Sequence, residues 1–291
     1  MFLPLISFFF FAFVATINGE GCGENCECGM SKNIEYYEDF NSNQNRILGG
    51  KNSDPKDWPF IAYFNSYDQA CTATILNNQW ILSAAHCKGE DESVQIRING
   101  KAYKTEPIIP HEGFNEETFI NDILLAKLTE PLIFSENVSS ICLIKNITVS
   151  EMEIGAVAGF GQRFLRVKDI NDTYNDEGLL NEDGEEIIFE PNELLRETPI
   201  LIRDLGYCNI TNSETQFCAG GANRGTTKGD SGGPLLVIRD HRWVQYGITS
   251  LGYFQGIPGD LLAMREKGTF TKVNAYCDWI AEKTSGEVTC Q

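Results

Sequence analysis

Short runs rich in β-branched and other apolar residues alternate with turn residues along most of this chain. Examples are Thr72 to Leu76, Trp80 to Ser83, Val94 to Ile98, Ile123 to Leu128, Pro234 to Ile238 and Val244 to Ser250. Such spacing predicts short antiparallel strands forming a barrel or a sandwich. The last apolar stretch, Asn274 to Lys283, reads as a closing helix. Two N-terminal segments break the pattern. Phe2 to Val14 is almost wholly apolar and uncharged, with Ile17, Asn18 and Gly19 behind it, so residues 1–19 read as a secretory signal peptide. The run falls short of the roughly 20 apolar residues a membrane span needs. Residues 20–46 hold three cysteines, six acids and two bases without apolar periodicity. They are too few to build a core and read as a pro-segment. Residues 47–291 then make the folded body.

Composition narrows the classes. An apolar fraction of 42% suffices for a core. Ten cysteines in a secreted chain predict five disulfides, and four Asn-x-Ser/Thr sequons, at Asn137, Asn146, Asn171 and Asn209, fit the same route. The net charge of −18 argues against nucleic acid or heparin as a main partner, since both need basic patches. It names no substrate.

The chemistry concentrates in three motifs. Gly229-Asp230-Ser231-Gly232-Gly233-Pro234 sets a serine among glycines, which permit a sharp turn and a close substrate approach. The amides of Gly229 and Ser231 can converge there as an oxyanion hole. Ala84-Ala85-His86-Cys87 supplies a base, and Asn121-Asp122-Ile123-Leu124-Leu125 an acid that opens an apolar strand. A serine hydroxyl needs a base to attack at neutral pH, and an acid holds that imidazole in the right tautomer. No metalloprotease His-Glu-x-x-His, zinc-spaced cysteine set or glycine-rich phosphate loop is present, so no metal or other cofactor is expected. His111 and His241 read as surface residues.

The order His86, Asp122, Ser231 and the flanking residues resemble the trypsin/chymotrypsin family of serine endopeptidases, from Ile47 to about Lys283. The resemblance implies an all-β chymotrypsin fold. Two six-stranded antiparallel barrels, residues 47–150 and 151–273, hold the site between them, and a helix and tail follow in residues 274–291. It implies a secreted, monomeric zymogen acting on protein or peptide substrates and subject to protein inhibitors. Cleavage between Arg46 and Ile47 by an upstream trypsin-like protease would free an ammonium that pairs with Asp230. It implies the bridges Cys71–Cys87 and Cys208–Cys218, and Cys142 tied to the pro-segment through Cys28, with Cys26 and Cys22 as alternatives. Cys277–Cys290 with Cys22–Cys26 is one arrangement of the rest. The His86–Asp122 interval is shorter where trypsins carry a calcium loop, so no calcium is expected there.

The departures concern specificity. Gly225 stands at the pocket floor where trypsin-like members have aspartate, and Ser250, Gly252 and Gly268 line the pocket. The reading is a deep apolar slot for a large side chain before the cut bond. The alternatives are cleavage after arginine or lysine, with Asp260 supplying a charge from the enlarged Gly252–Gly268 segment, and a catalytically silent binding protein on the same fold. Thr227 replaces a pocket cysteine, Leu251 a tryptophan, and Gly155 and Val237 a further cysteine pair. Residues 169–193 hold ten acids and no bases. They read as a solvated loop, or as an electrostatic filter that favours basic substrates.

Overall fold

The structure, a computed structural model, describes residues 28–43, 50–66, 69–90, 92–165, 179–180, 186–190, 194–208, 210, 212–257 and 260–291. The expected signal peptide, Cys22, Cys26, Arg46, Ile47, Asn171, Asn209 and most of the acidic insertion lie outside the described residues.

The apolar runs form strands as expected. The N-terminal half contains helix α1 (Ile34–Asn43) and strands β1 (Lys51–Asn52), β2 (Ile61–Asn65), β3 (Ala70–Ile75), β4 (Trp80–Ser83), β5 (Gln95–Ile98), β6 (Lys101–Lys104), β7 (Ile109–Pro110) and β8 (Leu124–Lys127). One antiparallel sheet runs β6-β5-β2-β3-β4-β8-β7. Its far sides meet where β6 and β8 end. Thr105 bridges Leu128, the Thr129 amide donates to the Lys104 carbonyl at 3.0 Å, and the Glu106 amide donates to the Lys127 carbonyl at 2.8 Å. Phe64, Ile75, Leu82, Ile96 and Leu124 are fully buried inside this curl.

The C-terminal half contains β9 (Ile154–Gly159), β10 (Arg163–Leu165), β11 (Leu179–Leu180), β12 (Glu186–Glu190), β13 (Arg196–Arg203), β14 (Gln216–Ala222), β15 (Pro234–Arg239), β16 (Arg242–Ile257) and β17 (Asp260–Lys272). Six strands close completely in the order β13-β14-β17-β16-β15-β9, because β9 pairs back onto β13 from Ile154↔Leu201 to Gly159↔Arg196. Closure leaves no exposed edge to aggregate. β1 adds to the outside of β13, and β10, β12 and β11 make a small separate sheet. A 3-10 turn over Val273–Tyr276 leads into helix α2 (Cys277–Lys283), which buries Ile280. This is the chymotrypsin fold.

Among the described residues, four disulfides staple it: Cys28–Cys142, Cys71–Cys87, Cys208–Cys218 and Cys277–Cys290. The first joins the segment 20–46 to the body, and that segment differs from expectation. Instead of lying coreless, it forms α1 and buries Ile34 and Tyr37. These two positions share a helix face three residues apart. An isolated helix of this length is marginal in water, so docking must stabilise it. Tyr37 packs edge-on against Trp58 and Trp243, with ring centroids 5.8 and 5.1 Å away. Its hydroxyl donates to buried Glu197 at 3.2 Å. Glu197 also accepts from Ser53 Oγ and the Trp58 indole and pairs with Lys51 Nζ at 3.0 Å. A face of two residues is too short to show as periodicity in sequence.

Candidate active site

His86 sits in a 3-10 turn, Ala85–Lys88, that follows β4 and is pinned through Cys87 to Cys71 on β3. Asp122 comes just before β8, which pairs with β4, so neighbouring strand ends bring the two together. The His86 ring Nδ1 lies 2.8 Å from Asp122 Oδ2, and the His86 amide donates to Asp122 Oδ1 at 2.9 Å. Asp122 is fully buried, a costly place for a charge unless its oxygens find donors. A third donor is Ser250, whose Oγ reaches Oδ2 at 2.5 Å. Ser250 was expected as a pocket residue, but its hydroxyl serves the acid. Asn121 holds the approach to Asp122 with a left-handed backbone, φ 60°. Its side chain donates to the Gly113 carbonyl and accepts from Tyr276 Oη, both at 2.8 Å.

Ser231 approaches from the second barrel. Its carbonyl accepts the Thr72 amide at 2.8 Å, so it stands against β3 of the first. Gly232 explains why this turn tolerates no side chain. Its φ is 77°, and a Cβ there would lie 2.0 Å from Ser83 Oγ and 2.9 Å from Ala84 N. Ser83 and Ala84 lead directly into His86, so the same close approach sets the serine turn beside the histidine turn. On the other side of Asp230, Gly229 has φ 100° and its carbonyl accepts from Thr72 Oγ1 at 2.8 Å.

Asp230 points inward. Its Oδ1 accepts from the Gly161 amide and its Oδ2 from the Thr227 amide, both at 2.8 Å. Burial pushes its carboxyl up to about 6, and these amides pull the other way. Thr227, standing where the resemblance has a bridged cysteine, uses its hydroxyl to tie the turn to the Gln162 carbonyl at 2.8 Å. Ile47 lies outside the described residues, so the structure leaves its pairing with Asp230 undescribed.

The pocket departs from its expected form. The enlarged segment between Gly252 and Gly268 continues β16 and β17 as one hairpin, paired from Gly247↔Lys272 out to Ile257↔Asp260. A ladder, rather than a disulfide, holds this wall. Asp260 sits at the distal end of that hairpin, opposite Ile257. Gly225, the expected floor, instead faces Glu266. A Cβ at Gly225 would lie 1.9 Å from Glu266 Oε2, and one at Gly268 would lie 2.9 Å from Oε1. The three glycines read as an apolar slot therefore face a carboxyl group. Oε1 accepts from the Thr226 amide at 2.9 Å and its hydroxyl at 2.6 Å, while Oε2 is buried without a hydrogen-bond partner. Burial, and then the Asp230 charge, push this carboxyl up to about 8. A signal existed in the sequence. Glu266 lies two residues before Gly268 on one strand, hence on the same face. Using it required the register of β17.

The sulfurs of Cys71 and Cys87 lie with a His86 nitrogen within 4.8 Å of one another. Both sulfurs are spent in a disulfide and offer no thiolate to a metal. His241 is exposed and pairs with Glu38 of α1 at 2.9 Å. His111 packs against Tyr276 and Trp279.

Comparison with known proteins bears on this geometry. A family model described as Trypsin matches residues 47–280. The chain is 30% identical over 260 residues to transmembrane protease serine 11G of Mus musculus, covering 82% of this chain and 56% of that protein. It is 29% identical over 250 residues to granzyme B(G,H) of Mus musculus, covering 80% and 89%. It is 28% identical over 272 residues to vitamin K-dependent protein C of Oryctolagus cuniculus, covering 86% and 55%. The chain thus spans little more than half of two of these relatives and most of the third. The family match takes in both barrels and every motif of the site, and the chain belongs to the trypsin family.

Proposed function

We propose that this chain is a secreted, zymogen-type serine endopeptidase. The observation that carries the reading is the His86–Asp122 pair, held at 2.8 Å beside a glycine turn that bears Ser231. In this reading His86 Nε2 takes the Ser231 proton as Oγ attacks the scissile carbonyl. The amides of Gly229 and Ser231 stabilise the oxyanion. His86 then gives its proton to the departing amine, leaving an acyl-serine. Water, deprotonated by His86, attacks that ester and releases the acid. Asp122 keeps Nδ1 protonated and stabilises the imidazolium. Ser250 keeps Asp122 aimed.

Activation belongs to the same proposal. Cleavage after Arg46 would free the Ile47 ammonium, whose partner would be Asp230. The apolar leader and the disulfide-stapled body support export. Protein or peptide substrates and protein inhibitors follow from the activity, and no metal is assigned to it.

The test is amide hydrolysis by the secreted chain before and after cleavage at Arg46. The uncut chain should be nearly inactive. The cut chain should be active, and Ser231→Ala should lower kcat/KM by about 10⁴-fold or more while folding and export persist. Full activity in that variant would refute the assignment.

A further inference from the structure

Glu266 has no part in the acyl-transfer steps, yet its carboxyl occupies the floor of the pocket that should receive the substrate side chain. Three pocket glycines face it. A Cβ would come within 1.9 Å of the carboxyl at Gly225, 2.9 Å at Gly268 and 3.2 Å at Gly252. Any side chain at Gly225 would have to displace it. The group is 1% exposed and half-satisfied, with two donors from Thr226 on Oε1 and no partner on Oε2. A buried carboxylate oxygen without a donor is costly until one arrives.

We propose that Glu266 is the specificity determinant of this site, the counter-charge for an arginine or lysine side chain before the cut bond, delivered from β17 instead of from the bare floor at Gly225. The proposal rests on the endopeptidase reading above. A guanidinium or ammonium brings the donors and the positive charge that Oε2 lacks. A phenyl or isobutyl group would strip the carboxyl of any remaining water and return nothing. Burial and the nearby Asp230 charge raise the Glu266 carboxyl to about 8, so an arriving cation must draw the proton off it, and pairing should strengthen as pH rises. Thr226 holds Oε1 at the floor, and Gly252 and Gly268 leave the neck without side chains.

The experiment uses the full secreted chain cut after Arg46. Labelling by a fluorophosphonate reports on Ser231 without using the pocket charge. Short peptide substrates differing only before the cut bond report on specificity, and calorimetric titration with benzamidine, an aromatic amidinium, reports on pocket charge without catalysis. Arginine and lysine substrates should exceed phenylalanine, leucine and alanine substrates by about 100-fold or more in kcat/KM. Glu266→Gln, which keeps an acceptor for Thr226, should lose most of that advantage and bind benzamidine about tenfold or more weaker, fluorophosphonate labelling reporting separately on Ser231. Better cleavage after phenylalanine, leucine or alanine would overturn the proposal. So would an arginine preference that survives Glu266→Gln. The wild-type profile decides even if that variant folds poorly. Absence of fluorophosphonate labelling would instead sink the endopeptidase reading, while the benzamidine arm would still judge Glu266.

Discussion

Asp230 is a single carboxyl whose protonation should report the cleavage state of the chain. In the uncut chain its carboxyl is pushed up to about 6 from an ordinary value of 3.8. The folded chain therefore holds a proton that the unfolded chain releases. Stability from this group is fully present below 3.8 and is lost as pH rises through about 6. An ammonium placed beside it would reverse the balance by favouring the charged form. The melting temperatures of cut and uncut chains should thus diverge as pH rises. From about pH 5 to about pH 7.5 the gap should widen by an amount equivalent to roughly 1–2 kcal/mol. A gap that stays constant with pH would remove Asp230 as the partner of the new terminus. At this scale the sequence was legible for the His86–Asp122 pair, which the structure brings to 2.8 Å, because an imidazole base needs an acid to orient it whatever surrounds it. Ser250 and Glu266 were not, because a serine or a glutamate takes its role only from what lies across the strand.

Among the elements, α1 turns a tether into a docked part of the fold. Tyr37 fills a site between Trp58 and Trp243 and donates to Glu197. Tyr37→Ala should destabilise the protein by about 3–5 kcal/mol in urea titration, the range for a large aromatic lost from a core. A value under about 1 kcal/mol would mean that the helix is only tethered. The same docking predicts that a Cys28→Ser, Cys142→Ser double variant, cut after Arg46, keeps its pro-segment through gel filtration. Adding Tyr37→Ala should release it. Strand positions were readable from apolar runs, since a β-strand needs little more than a side to bury. The α1 face and the β16–β17 extension were not, because the first uses two apolar residues and the second depends on which strands pair.

For the whole molecule, the pocket charge and the activation bond must be considered together. An apolar slot would have required a separate activating protease, because the proposed activation bond follows Arg46. A pocket floored by Glu266 admits that arginine. The purified precursor, seeded with a trace of cut enzyme, should then convert itself with a lag that shortens as its concentration rises. Glu266→Gln precursor, seeded with its own cut form, should not. Conversion that needs an added trypsin-like protease in both cases would separate the pocket's charge from activation and restore the upstream enzyme as a partner.

The residue order His86, Asp122, Ser231, the glycine turn around the serine and the succession of short apolar runs were enough to read an all-β chain of the trypsin type. Each is a local requirement: a nucleophile needs a base, a tight turn needs glycine, a strand needs apolar residues. Closure of the second barrel by β9 against β13, the burial of Tyr37 and the arrival of Glu266 over Gly225 are long-range events. They depend on strand register, in which a shift of one residue sends a side chain to the opposite face. Local composition carries no record of that register, so the character of the pocket was decided in the tertiary structure alone.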